Sequence, residues 1–117
     1  MLQQISSGSV KIISLNRTEL LTQLRHITRR IKTAHDNVQD IRVFGSVARG
    51  DYVGTSDVDI LIILAEPTVE NFIERPLTFY RYFTLAIGVD LLVYTAAELE
   101  RGNAFLTQIY AESQSIF

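Results

Sequence analysis

Phe44-Gly45-Ser46-Val47-Ala48-Arg49-Gly50, followed by Thr55-Ser56-Asp57-Val58-Asp59-Ile60 and the apolar continuation to Leu64, is the stretch on which the fold turns. Ile41 to Phe44 is short, β-branched and aromatic, and it stops at Gly45, so it predicts a strand ending in a tight turn. Val58 to Leu64 is apolar at nearly every position, the pattern of a central strand covered on both faces, and Glu66-Pro67 ends it. Two strands joined through a glycine turn therefore form the middle of the domain.

Working outward, Leu20, Leu21, Leu24, Ile27, Ile31 and Ala34 fall on one helical stripe, which predicts a helix from Asn16 or Thr18 onward with Thr18 as its cap. Arg25, Arg29 and Lys32 lie nearly opposite and form a solvated basic face. Ser9 to Leu15 alternates loosely, as a short edge strand or an ordered arm would. Thr68 to Ala86 has helical composition interrupted by Pro76, predicting two short helices or a kinked one. Gly88 to Tyr94 reads as a third strand, and Thr95-Ala96-Ala97-Glu98 as a capping box opening a helix that Gly102 ends. Asn103 then caps a last helix whose apolar positions are Phe105, Leu106, Ile109 and Ile116. The order is helix, strand, strand, helix, strand, helix: an α/β or α+β layer, residues 1–117 as a single domain, without repeats.

Composition narrows the function. With 117 residues, 47% of them hydrophobic, the chain can bury a core without covalent staples. It has no cysteine, which excludes a disulfide framework, a cysteine nucleophile and a thiolate metal site, and favours a reducing, cytoplasmic setting. The longest apolar run, Ile60 to Ala65, is far short of the roughly 20 residues a membrane helix needs. Eleven basic against thirteen acidic residues argue against a surface that grips nucleic acid strongly.

The chemistry sits in the quoted stretch. Gly45 lets the backbone bend sharply and lets a ligand approach the main-chain N–H groups, and Ser46 adds a hydroxyl. Asp57 and Asp59 are two apart on a strand, so both carboxylates project from one face while Val58 points into the packing layer. Carboxylates roughly 7 Å apart along a strand repel each other unless a cation lies between them. Magnesium suits the site, because it takes hard oxygen ligands and fills its shell with water and phosphate. Asp90, in the next apolar strand, supplies a third carboxylate, costly there unless paired or metal-bound. Three carboxylates beside a phosphate cradle describe a two-metal nucleotidyl transfer site. His26 and His35, placed on the first helix, read as surface residues rather than members of a hydrolytic triad.

Gly45-Ser46, ten intervening residues, then Asp57-Val58-Asp59 resembles the signature of the DNA polymerase β nucleotidyltransferase superfamily, and the fuller string from Gly45 to Ile62 looks like its minimal branch, the antitoxins of HEPN/MNT toxin-antitoxin pairs. The resemblance implies a small mixed β-sheet backed by helices. By motif position it implies that Asp57, Asp59 and Asp90 are the catalytic, metal-binding carboxylates for two magnesium ions, and that Gly45 and Ser46 cradle the triphosphate of ATP. Arg49, inside the shared motif, is either a phosphate contact or a structural salt bridge. It further implies transfer of AMP from ATP to a tyrosine of a cognate HEPN ribonuclease, in a hetero-oligomer with that toxin. Larger relatives carry an added helical or RNA-binding part that positions the acceptor; here the partner is expected to position it.

Two other readings compete. A binding-only antitoxin would occlude its toxin and would need none of these carboxylates. A nucleotidyltransferase acting on a small molecule or an RNA 3′ end would need an acceptor region and, for RNA, more positive charge. A bland reading, in which Asp57 and Asp59 cap a strand and Gly45-Ser46 is an ordinary turn, ranks below both.

Overall fold

The computed structural model describes residues 2–7, 10–52 and 57–117, the first two strands by their backbone alone. Thr55 and Ser56 of the motif, and the Ser9 start of the expected edge strand, lie outside the described residues. The fold is a small mixed α+β arrangement. Strands β1 (Leu2–Ser7) and β2 (Val10–Leu15) pair antiparallel as a two-stranded sheet, with Leu2 opposite Leu15. The main sheet contains β3 (Val38–Phe44), β4 (Val58–Leu64), β5 (Val89–Thr95) and β6 (Gln114–Ser115) in the order β5-β4-β3-β6. β3 runs antiparallel to β4 and β6, whereas β4 and β5 are parallel. Parallel pairing demands a crossover, and the segment between β4 and β5 supplies it with helix α3 (Arg75–Tyr80).

Helix α1 (Arg17–Ala34) buries Leu20, Leu24, Ile27, Thr28 and Ile31. They pack with Ile41, Val43, Val58, Ile60, Ile62 and Leu64 as the main core, to which α3 and the turn after it add Phe79, Tyr82 and Phe83. The opposite side of β4 carries Leu61 and Ile63, which meet Ile109 of α5 (Ala104–Glu112) and Leu99 of α4 (Ala96–Arg101). Helices therefore cover both faces of β4, as its unbroken apolar run requires. Arg25, Arg29 and Lys32 are exposed, as their opposition to the stripe predicts.

Several expectations need correction. Asn16, not Thr18, caps α1: its Oδ1 accepts from the Glu19 N–H at 2.8 Å, whereas Thr18 is already inside the first turn. Ala34 is exposed, at the end of the stripe. Thr68–Ala86 is not two helices: only Arg75–Tyr80 is helical, and Pro76 stands in its first turn. The missing N–H of a proline costs nothing there, so Pro76 starts a helix instead of interrupting one. The last helix stops at Glu112, and Ile116 belongs beyond it. Arg42 binds Ser113 through both Oγ (2.6 Å) and the backbone carbonyl (3.1 Å) and lies over the Tyr110 ring. Those contacts turn the chain across β3 as β6, and Ile116 N then bonds Ile41 O at 2.9 Å, burying its side chain in the main core.

The expected capping box at Thr95 is present: Thr95 Oγ1 accepts from the Glu98 N–H, and Glu98 Oε1 accepts from the Thr95 N–H at 2.8 Å and from Arg75. Burial alone would push the Glu98 carboxyl up, but the Thr95 N–H and the Arg75 guanidinium outweigh it and hold it below its ordinary value of 4.5. A carboxyl with a lowered folded value stabilises the fold above its unfolded value and loses that contribution as pH falls through the folded one. Glu98→Ala is therefore expected to cost about 1 kcal/mol at neutral pH, the usual scale of a lost cap, with the difference shrinking below the ordinary carboxyl value. Urea midpoints of the two proteins at neutral and acidic pH check this.

Candidate active site

β3 leaves the sheet at Phe44, and Gly45 takes φ 69° and ψ −144°, a conformation that side-chain-bearing residues rarely adopt. A single helical turn, α2 (Ser46–Arg49), follows and is closed by hydrogen bonds from Arg49 N to Gly45 O and Gly50 N to Ser46 O, both 3.0 Å. In the sheet register Phe44 lies opposite Asp59, and Asp59 opposite Asp90. Three adjacent strands thus bring the Gly45 turn, Asp59 and Asp90 to one level. Asp57 stands just before β4 and is exposed; Asp90 is exposed too, so it is not the buried charge its apolar run suggested, while Val58 between Asp57 and Asp59 is buried.

Two glycines let the carboxylates lie close to the backbone. A Cβ at Gly45 would overlap the Asp59 carboxylate, and a Cβ at Gly88 would overlap that of Asp57. Gly88 also accepts the Val58 N–H through its carbonyl at 2.9 Å, which locks the start of β4 against β5. Gly45 was identifiable from the motif; Gly88, read only as the start of a strand, was not.

Asp59 is half-buried, and its carboxyl is raised above the ordinary 3.8 by that burial first, then by the negative charges of Asp90 and Asp57 and a hydrogen bond shared with Asp90. Arg49 pulls the other way. Among the described residues no acidic or histidine cluster forms a ready-made metal cage. The donor set nevertheless fits a hard divalent cation: oxygen ligands only, like charges crowded together, and one of them partly desolvated.

Arg49 lines the same pocket as Gly45 and Asp59. It pairs with Asp51 at 3.4 Å and with Glu112 at 3.8 Å, and it is half exposed, so these pairs contribute little stability. Glu112, from the last turn of α5, was missed by sequence reasoning: its Oε1 accepts from the Gly45 N–H at 3.3 Å, so a carboxylate already sits at this N–H. No motif spacing could have found it, because the contact depends on how α5 crosses the sheet. Ser46 is half-buried at the head of α2. Gly45, Arg49, Asp59 and Glu112 share a pocket of about 310 Å³ with Phe105 and Gln108. A larger hollow of about 470 Å³, between β3 and α4–α5, contains none of the three aspartates.

Neither histidine joins the site. His26 is exposed, as read from the sequence. His35 is half-buried instead of on the surface: it caps the end of α1, bonds Tyr82 Oη at 3.0 Å and packs on Phe79. A histidine in the last position of a helix leans back onto whatever the next layer presents, here the aromatic turn after α3.

Residues 23–116 match the nucleotidyltransferase domain family. A search of curated proteins gives no match. Among solved structures, a candidate nucleotidyltransferase from Sulfolobus solfataricus is similar at 25% identity and TM-score 0.65, over 85% of this chain and 80% of that one. A toxin-antitoxin crystallised with AMP-PNP is similar at 24% identity and TM-score 0.52, and a mutant MntA-HpeT toxin-antitoxin at 22% and 0.51, each over 88% of this chain and 73% of theirs. The last two are likenesses of fold.

Proposed function

The chain belongs to the nucleotidyltransferase domain family, and from that premise we propose that it is the antitoxin of a toxin-antitoxin pair, transferring AMP from ATP to a tyrosine hydroxyl of a cognate HEPN ribonuclease. The observation that carries the reading is the stacking of Asp57, Asp59 and Asp90 beside the Gly45 turn. Occlusion of a partner would need no such convergence of like charges. The fold shared with two toxin-antitoxin structures supports the antitoxin role. Among the described residues no helix is long and apolar enough to cross a membrane, and we place the reaction in the cytoplasm, where ATP is abundant.

In this reading Gly45 and Ser46 hold the triphosphate through the turn's N–H groups and the Ser46 hydroxyl. Asp57, Asp59 and Asp90 hold magnesium, which supplies positive charge against the triphosphate and the departing pyrophosphate. The acceptor oxygen attacks the α-phosphorus, a new phosphorus–oxygen bond forms, and the bond to the bridging oxygen breaks as pyrophosphate leaves. Asp90 takes the hydroxyl proton. Glu112 must yield the Gly45 N–H to phosphate, and Arg49 must exchange its half-exposed pairs with Asp51 and Glu112 for the new negative charge. The partner presents the acceptor, an orientation term worth several kcal/mol.

Intact mass spectrometry of the toxin encoded beside this chain, after incubation with the chain, magnesium and ATP, tests the proposal. A gain of one or more AMP units is expected, with negligible transfer to nucleosides, aminoglycosides or bulk RNA. A toxin that is silenced without any mass change would overturn it in favour of occlusion.

A further inference from the structure

Helix α5 directs a chemically graded stripe at the pocket. Phe105, Gln108 and Glu112 are spaced i, i+3, i+7, so they lie on one face, and all three line the pocket that contains Gly45 and Asp59. At its far end the Glu112 carboxylate meets the Gly45 N–H and approaches Arg49, which marks the place for an anion. At its near end Phe105 offers a flat aromatic face and no charge. The sequence pattern grouped Phe105 with Leu106 and Ile109 among the apolar positions of this helix. Those two are buried, whereas Phe105 is 60% exposed. The ring thus stands largely in water on the rim of the pocket.

Glu112 stands seven residue steps along the helix from Phe105, a rise of about 10 Å. A ligand that fills the pocket from end to end must therefore be anionic at one end and flat and apolar at the other. We propose that the base of the donor nucleotide stacks on Phe105 while its phosphates occupy the Gly45 turn. This rests on the nucleotidyltransferase reading above and deepens it, by assigning a residue to the base where the motif assigns residues only to phosphate and metal. The pocket volume of about 310 Å³ suits a single nucleotide. Stacking on an exposed ring is tolerant of base identity, so Phe105 contributes affinity and orientation more than choice among bases.

Calorimetric titration of the full chain in magnesium with AMP-PNP, and separately with inorganic tripolyphosphate, tests this. Phe105→Ala should weaken AMP-PNP binding about ten-fold or more, the usual worth of one base stacked on an aromatic ring, and leave tripolyphosphate binding unchanged. Phe105→Trp should restore AMP-PNP binding. Because the ring is exposed, both variants are expected to melt with the parent. Wild-type chain that binds AMP-PNP, with Phe105→Ala binding it equally well, overturns the inference and leaves the nucleotidyltransferase reading standing; Phe105 would then be a contact for the protein partner. Wild-type chain that binds neither ligand overturns both.

Discussion

Asp57→Asn combined with Asp59→Asn is expected to abolish the proposed nucleotide transfer from ATP, with a loss on the order of a thousand-fold or more, the scale of several kcal/mol of charge stabilisation in the transition state. The fold is expected to survive and to be slightly more stable in metal-free buffer. Asp59 carries the reason: burial and the charges of Asp90 and Asp57 raise its carboxyl above 3.8. An acid whose folded value is raised stabilises the protein most when it is protonated, and that contribution declines as pH climbs from the ordinary value to the raised one. At neutral pH the crowded charges are therefore a burden in the absence of a cation, and two carboxamides relieve it. Initial rates with labelled ATP and melting curves in chelator read both effects. Undiminished transfer would remove the carboxylates from the mechanism.

Gly45→Val has the second large effect, and it acts on stability and binding together. Valine must adopt φ 69°, a region that costs a β-branched residue about 1 to 3 kcal/mol, and its Cβ overlaps the Asp59 carboxylate. The turn can respond only by moving away from Asp59, which takes its N–H groups out of line with the carboxylates. A loss of about 2 kcal/mol or more in urea unfolding is expected, together with loss of AMP-PNP affinity beyond what the stability change explains. Unchanged affinity in the folded variant would show that this turn does not hold phosphate.

The parts of the fold that were readable in advance depend on local periodicity. Val58 to Leu64 announces a doubly covered strand by its apolar run, and the alternation of Asp57, Val58 and Asp59 places two carboxylates on one side whatever the rest of the chain does. Gly45 after Phe44 is equally local, and the positive φ bears out the turn. What escaped depends on distant contacts. β6 contains only two residues and exists because Arg42 captures Ser113 from across the sheet. Glu112 meets Gly45 through tertiary packing of α5, and Phe105 is left exposed while Ile109 of the same helix packs on Leu61 and Ile63. Between β4 and β5, composition alone made Thr68 to Ala86 look helical. Val69, Ile73 and Leu77 are instead exposed, and only the turn that buries Phe79 is held as helix.

The central claim is that the Gly45 turn and the three aspartates form one site for nucleotide and magnesium, and calorimetric titration of AMP-PNP into the chain with magnesium and with chelator measures it most directly. The account predicts clear binding in magnesium that collapses in chelator and in the Asp57→Asn, Asp59→Asn protein. Binding of equal strength in all three, or none in magnesium, would contradict it.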